Sequence, residues 1–116
     1  MKELSTVGQR KEMLEEELSR IIQVLTRNYE PEKVILFGSL ADDNLHEWSD
    51  IDLLIIKKTT KRPIDRVLEA CRLINPRIGI DLFIYTPDEF DTLVQEKFSF
   101  LTNIAKRGKV LYEKRN

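Results

Sequence analysis

Three short, almost uninterrupted apolar runs, Val34-Ile35-Leu36-Phe37, Ile51-Asp52-Leu53-Leu54-Ile55-Ile56 and Ile80-Asp81-Leu82-Phe83-Ile84-Tyr85, constrain this chain more than anything else in it. A strand with one wet face alternates apolar and polar residues, whereas a strand covered on both faces reads as a continuous apolar run. Such strands need helices above and below them, and the segments between and around the runs supply those helices. Leu14, Leu18, Ile21, Ile22 and Leu25 recur at helical spacing, as do Ile64, Val67, Leu68, Cys71 and Ile74. Pro31 closes the first of these helices by steering Glu30 out of the helical region, and Pro63 suits the first position of the second. Thr86-Pro87-Asp88-Glu89 spells a capping box for a third, which carries Phe90, Leu93 and Val94. Leu101, Ile104 and Ala105 mark a further helix, Gly108 is expected as its left-handed C-cap, and Lys109 to Tyr112 form a short last strand. The order predicts an α/β domain (α+β in some schemes), a small mixed β-sheet with helices packed on it.

A length of 116 residues fits a single domain, 1–116, with a real core. Nineteen basic against twenty acidic residues leave a net charge of -1, which excludes a broad nucleic-acid surface and means that any phosphate is met locally. No apolar run approaches the roughly 20 residues that span a bilayer, and the first residues hold no apolar signal core, so no membrane role and a cytoplasmic location are expected. The single cysteine, Cys71, has no partner for a disulfide or a zinc site and reads as a small buried apolar residue. His46 reads as an exposed loop residue, Tyr29 and Tyr85 as partly buried aromatics, and Trp48 either as a base-stacking group or as a packing residue.

The chemistry lies where charge interrupts the apolar runs. Residues alternate faces along a strand, so Asp50 and Asp52 point the same way, about 6–7 Å apart. At an effective dielectric near 20 their repulsion is roughly 2–3 kcal/mol, a large fraction of a domain's stability of about 5–15 kcal/mol. Asp81 interrupts the third run in the same manner, and with that strand beside the second the three carboxylates form a triangle of hard oxygen ligands, the donor set Mg²⁺ prefers. Two ions about 3.5–4 Å apart in such a site activate an attacking oxygen and steady a leaving pyrophosphate. Gly38-Ser39, at the exit of the first strand, offers close backbone approach, a hydroxyl and an N–H to a phosphate.

Phe37-Gly38-Ser39, a ten-residue gap and Ser49-Asp50-Ile51-Asp52-Leu53, with Asp81 on a later strand, resemble the signature of the polymerase-β-like nucleotidyltransferase superfamily and, within it, the minimal nucleotidyltransferases of antitoxin type. The resemblance covers nearly the whole chain. It implies an NTP substrate, ATP with transfer of AMP, and dependence on two Mg²⁺ ions held by Asp50, Asp52 and Asp81, with Gly38 and Ser39 holding phosphates. It also implies a partner. Minimal members are commonly paired with a small all-helical protein, often of the HEPN ribonuclease kind, which they neutralise by binding or by attaching AMP. The chain leaves no room for the extra helical domain that encloses substrates in larger relatives, so help from a second copy or a partner chain is expected. Many relatives carry arginines directly after Gly-Ser, where this chain has Leu40-Ala41-Asp42-Asp43; Lys57, Lys58, Lys61, Arg62 and Arg77 are the basic residues that neighbouring loops could bring instead.

Overall fold

The computed structural model describes residues 6–115. Helix α1 (Thr6–Asn28) leads into strand β1 (Lys33–Phe37), a single helical turn α2 (Gly38–Ala41), β2 (Ile51–Ile56), α3 (Pro63–Ile74), β3 (Ile80–Tyr85), α4 (Pro87–Gln95), α5 (Ser99–Arg107) and β4 (Lys109–Glu113). The sheet order is β3-β2-β1-β4, with β1 antiparallel to both neighbours and β2 parallel to β3. The parallel step is made by α3, the crossover helix such a connection requires. The mixed sheet and flanking helices expected from the three runs are therefore present, with α2 as an added turn.

Both faces of the sheet are covered, which is why the runs are apolar throughout. Val34, Leu36, Ile51, Leu53 and Ile55 face a core built with Leu14, Ile21 and Leu25 of α1 and Ala70 and Ile74 of α3. Ile35, Leu54 and Ile56 face the other way, onto Leu101 and Ile104 of α5 and onto Phe90, Leu93 and Val94 of α4. Strand alternation sends Asp52 and Asp81 to this second face. Beside them Phe37, Phe83 and Phe100 form a triangle of rings with centroids 5.1–5.8 Å apart in edge-on and tilted contacts. An apolar floor thus runs up to the acidic end of the sheet.

Local signals explain most element ends. Thr86 accepts a hydrogen bond from the Glu89 N–H while the Glu89 carboxylate accepts one from the Thr86 N–H, the reciprocal box read from the sequence. Pro63 opens α3. Gly108 corrects the expectation of a left-handed cap, since its φ of -67° and ψ of 155° are extended. Glycine is demanded there by space: a Cβ would stand 2.5 Å from Ile35 Cγ2 and 2.7 Å from the Ile104 carbonyl oxygen. The left-handed cap belongs instead to Asn75, at the end of α3 (φ 43°). Cys71 is half-buried rather than buried, because it lies off the stripe of Arg66, Ala70 and Ile74 that α3 turns inward.

Two partly buried ion pairs tie the helices to one another and to the chain around β3. Arg66 of α3 reaches Glu89 of α4 at 2.7 Å and also donates to the carbonyl oxygens of Lys61 and Ile84. Glu17 of α1 takes both arms of Arg20 at 2.8 Å and the N–H of Arg77 at 2.6 Å, while Arg20 donates to the carbonyls of Ile74 and Asn75. The second network pins the α3–β3 loop, whose last residue before β3, Gly79, reaches the acidic end of the sheet.

Candidate functional site

Asp52 and Asp81 are direct partners in the parallel ladder between β2 and β3, and Asp52 is also the antiparallel partner of Phe37 on β1. Equal register on neighbouring strands puts the two carboxylates on one face, within one strand spacing of each other. The Asp52 carboxyl is pushed up from 3.8 to about 6, first by burial against the apolar floor, then by the hydrogen bond it shares with Asp81 and by the negative charges of Asp81 and Asp50. Asp52 is half-buried while Asp81, on the edge strand, is exposed. One acid is thus desolvated and the other open to an incoming group.

Asp50 stands just ahead of β2, and its carboxylate is turned to a residue that sequence reasoning missed. Arg10 of α1 donates from Nη2 to Asp50 Oδ1 at 3.0 Å and from Nε to the Ser49 carbonyl oxygen at 2.8 Å. The Asp50 carboxylate also lies against Gly79, where a Cβ would come within 2.6–2.8 Å of it. Among the described residues no three His, Cys, Asp or Glu side chains are grouped in metal-holding geometry. The structure brings Asp52 and Asp81 together, with Asp50 adjacent but occupied by a guanidinium. The donor set nevertheless fits a divalent cation: Asp52 and Asp81 set hard oxygens side by side, and a cation would offset both the burial and the neighbouring negative charges that raise the Asp52 carboxyl.

Gly38 opens α2 directly against this pair. Its φ of 76° is left-handed, and a Cβ on it would fall 2.1 Å from Asp52 Oδ2. Only glycine fits the combination of backbone twist and carboxylate contact. Ser39 follows in the first turn of α2, half-buried. A cleft of about 250 Å³ begins at Gly38, between Phe37, Asp42, Phe100, Asn103, Arg107 and Gly108. Arg107, at the end of α5, lines the same cleft as Gly38.

The loop cations behave differently from expectation. Lys57, Lys58, Lys61 and Arg62 follow the far end of β2, the whole strand away from Asp52, and are engaged there: Lys57 with the Tyr29 carbonyl and ring, Lys58 with Glu32, Lys61 with Glu69 and Arg62 with Asp65. They cannot stand in for arginines after Gly38-Ser39. A groove of about 900 Å³ lies at that far end, lined in part by Lys57 and Lys61, and none of Gly38, Ser39, Asp50, Asp52 and Asp81 borders it. Arg77 is on the correct end of the sheet but on the α1 side, beside Glu17 and Arg20. Asp43 is exposed and paired with Lys11 at 3.5 Å, whereas Asp42 faces the cleft. His46 is exposed as expected; Trp48 is 77% exposed, which removes the packing reading; Tyr29 is buried, more completely than expected.

Comparisons with known proteins agree with this fold. A family model described as polymerase beta, nucleotidyltransferase, matches residues 19–116. A candidate protein adenylyltransferase of Methanocaldococcus jannaschii is 33% identical over 82 residues, spanning 69% of this chain and 77% of that protein. The crystal structure of a candidate nucleotidyltransferase from Sulfolobus solfataricus superposes with a TM-score of 0.67 at 20% identity, covering 98% of this chain and 93% of that one. A toxin–antitoxin structure solved with AMP-PNP superposes with a TM-score of 0.56 at 22% identity, covering 84% of this chain and 73% of that one. Among the described residues no helix is long and apolar enough to cross a membrane.

Proposed function

This chain belongs to the polymerase β nucleotidyltransferase family, and we propose that it transfers AMP from ATP to a side chain of a partner protein, with Mg²⁺ held by Asp50, Asp52 and Asp81. The observation that carries this reading is the Asp52–Asp81 pair, matched in register across parallel strands and touching the left-handed glycine that opens the cleft. In-line displacement forms a bond between an acceptor oxygen and the α-phosphorus and breaks the bond to the bridging oxygen of the leaving pyrophosphate. Asp81, exposed on the edge strand, takes the acceptor's proton; Asp52, half-buried beside it, is held against the apolar floor in fixed orientation. Gly38 lets the backbone approach the triphosphate, Ser39 offers its hydroxyl, and Arg107 offers a charge from the cleft wall. When bound, divalent cations at these carboxylates supply activation of the attacking oxygen and neutralisation of the developing phosphate charge.

Protein as acceptor is supported by the name of the Methanocaldococcus relative, and a toxin partner by the toxin–antitoxin fold neighbour. A small helical protein of the HEPN kind, acting as the toxin, is the partner we put forward, and a second copy of this chain is the other source of missing walls. The rival reading is an antitoxin that neutralises by binding alone; the engagement of Asp50 by Arg10 favours it.

The deciding experiment incubates the purified chain with α-labelled ATP, Mg²⁺ and a small helical HEPN-type protein as the proposed partner. Label on that protein, lost in D52N and D81N, is the expected outcome. Neutralisation of the toxin by D52N as effectively as by wild type, with no label transferred, would establish binding alone.

A further inference from the structure

The N-terminal turns of α1 are clasped onto the loop that carries the acidic motif. Thr6 Oγ1 donates to Glu47 at 2.6 Å, Arg10 holds the Ser49 carbonyl and Asp50, and Lys11 pairs with Asp43. The middle contact has a chemical consequence. Arg10, with a side chain only 21% exposed, is a resident cation on a carboxylate whose side chain is 46% exposed. Its fork is used twice, once on Asp50 Oδ1 and once on the backbone one residue earlier, so the guanidinium is fixed in position rather than waving over the surface. Gly79 lies against the same carboxylate. Asp50 is therefore held by a guanidinium, and Asp52 and Asp81 pair without it.

We infer that Arg10 is a positioning residue that competes with divalent cations for Asp50, so that cation entry exchanges the Arg10–Asp50 ion pair for a metal–carboxylate contact and loosens α1 from the 43–50 loop. The inference rests on the cation reading above and adds a threshold to it: the helix fastens Asp50 away from Asp52 and Asp81 until a cation outbids the guanidinium. Two charges of equal sign cannot share one carboxylate without loss. Removing the guanidinium deletes both the competing ion pair and a like charge near the cation, which together predict affinity about three- to tenfold tighter.

Mn²⁺ binding tests this without reference to catalysis. Free Mn²⁺ is counted by electron paramagnetic resonance during titration of wild type, R10M and R10K, each also in a D50N background. Trp48, the sole tryptophan and next to Ser49, gives a parallel fluorescence signal for loosening of the loop. Expected are tighter Mn²⁺ binding by R10M, an intermediate value for R10K, which keeps charge but not the fork, and a clearly smaller gain from R10M when it is introduced into D50N, where only the like charge is left to remove. In wild type Trp48 emission changes with Mn²⁺ along the same isotherm; in R10M the signal is already displaced before Mn²⁺ is added. Binding by wild type with R10M equal or weaker overturns the competition while leaving the cation reading intact. No binding by any of the proteins overturns both.

Discussion

Replacement of Asp52 by Asn should make the protein more stable while abolishing transfer. Asp52 sits on the apolar floor with Asp81 in hydrogen-bonding reach and Asp50 nearby, and its carboxyl is raised from 3.8 to about 6. A carboxyl that holds its proton more tightly when folded is one whose ionisation opposes folding. Below about pH 4 the group is protonated in both states and has no effect; between 4 and 6 the unfolded chain ionises first and stability falls; above 6 the loss is complete. The interval from 3.8 to about 6 corresponds to about 3 kcal/mol at full weight, and solvent reaching the half-buried group reduces this to about 1–2 kcal/mol. In a domain of this size that is a rise in Tm of roughly 5–10 °C. Thermal unfolding of wild type and D52N in EDTA should show this gap at pH 7.5 and show it closing towards pH 4. Excess Mg²⁺ should raise the wild type and leave D52N where it was, because ligand binding stabilises only the form that binds. A D52N protein no more stable than wild type at pH 7.5, or a gap that does not change with pH, would refute the electrostatic account of this pair.

Three other substitutions follow from the geometry. G38A forces a side chain into a left-handed backbone and onto Asp52 Oδ2; it should lose about 1–3 kcal/mol in urea unfolding and most of the transfer activity. E17Q breaks the bidentate contact with Arg20 inside α1 and the tie to the Arg77 N–H, and should lose about 2–3 kcal/mol at neutral pH. The Glu17 carboxyl is depressed to about 2, chiefly by its hydrogen bond with Arg20, so its stabilising effect is complete above about pH 4.5 and lost as pH falls towards 2; wild type and E17Q should converge in acid denaturation over that window. R107A removes a positive charge from the cleft that Gly38 lines and should raise the KM for ATP about tenfold with a smaller change in kcat, measured by steady-state transfer.

Much of this molecule is legible in its sequence because the signals are local. Continuous apolar runs in 34–37, 51–56 and 80–85 report strands covered on both faces, and Thr86 with Glu89 reports a helix start to the residue. The ladder sets Asp81 level with Asp52, whereas Asp50, expected on the same face by alternation, stands just ahead of β2 with its carboxylate on Arg10. What cannot be read depends on distance in the chain. Arg10 meets Asp50 across 40 positions, and nothing in the spacing of α1 distinguishes it from Lys11 or Arg20. Arg107 reaches the cleft only because α5 returns over the second face of the sheet, with Gly108 permitting its close approach to Ile35. Gly108 is legible as a glycine needed at a helix end, but whether twist or space demands it is decided by the neighbouring strand. The place of the cations in the 57–62 loop is hidden for the same reason, since strand direction sends them to the other end of the sheet.

Crystals of the chain grown with Mn²⁺ and a non-hydrolysable ATP analogue test the central claim most directly, through anomalous scattering at the manganese edge. The account predicts strong anomalous density between Asp52 and Asp81, Asp50 swung from Arg10 towards it, and the triphosphate lying against Gly38 and Ser39. Density elsewhere, or nucleotide seated in the groove among Arg27, Tyr29 and Arg72 at the opposite end of the sheet, would contradict it.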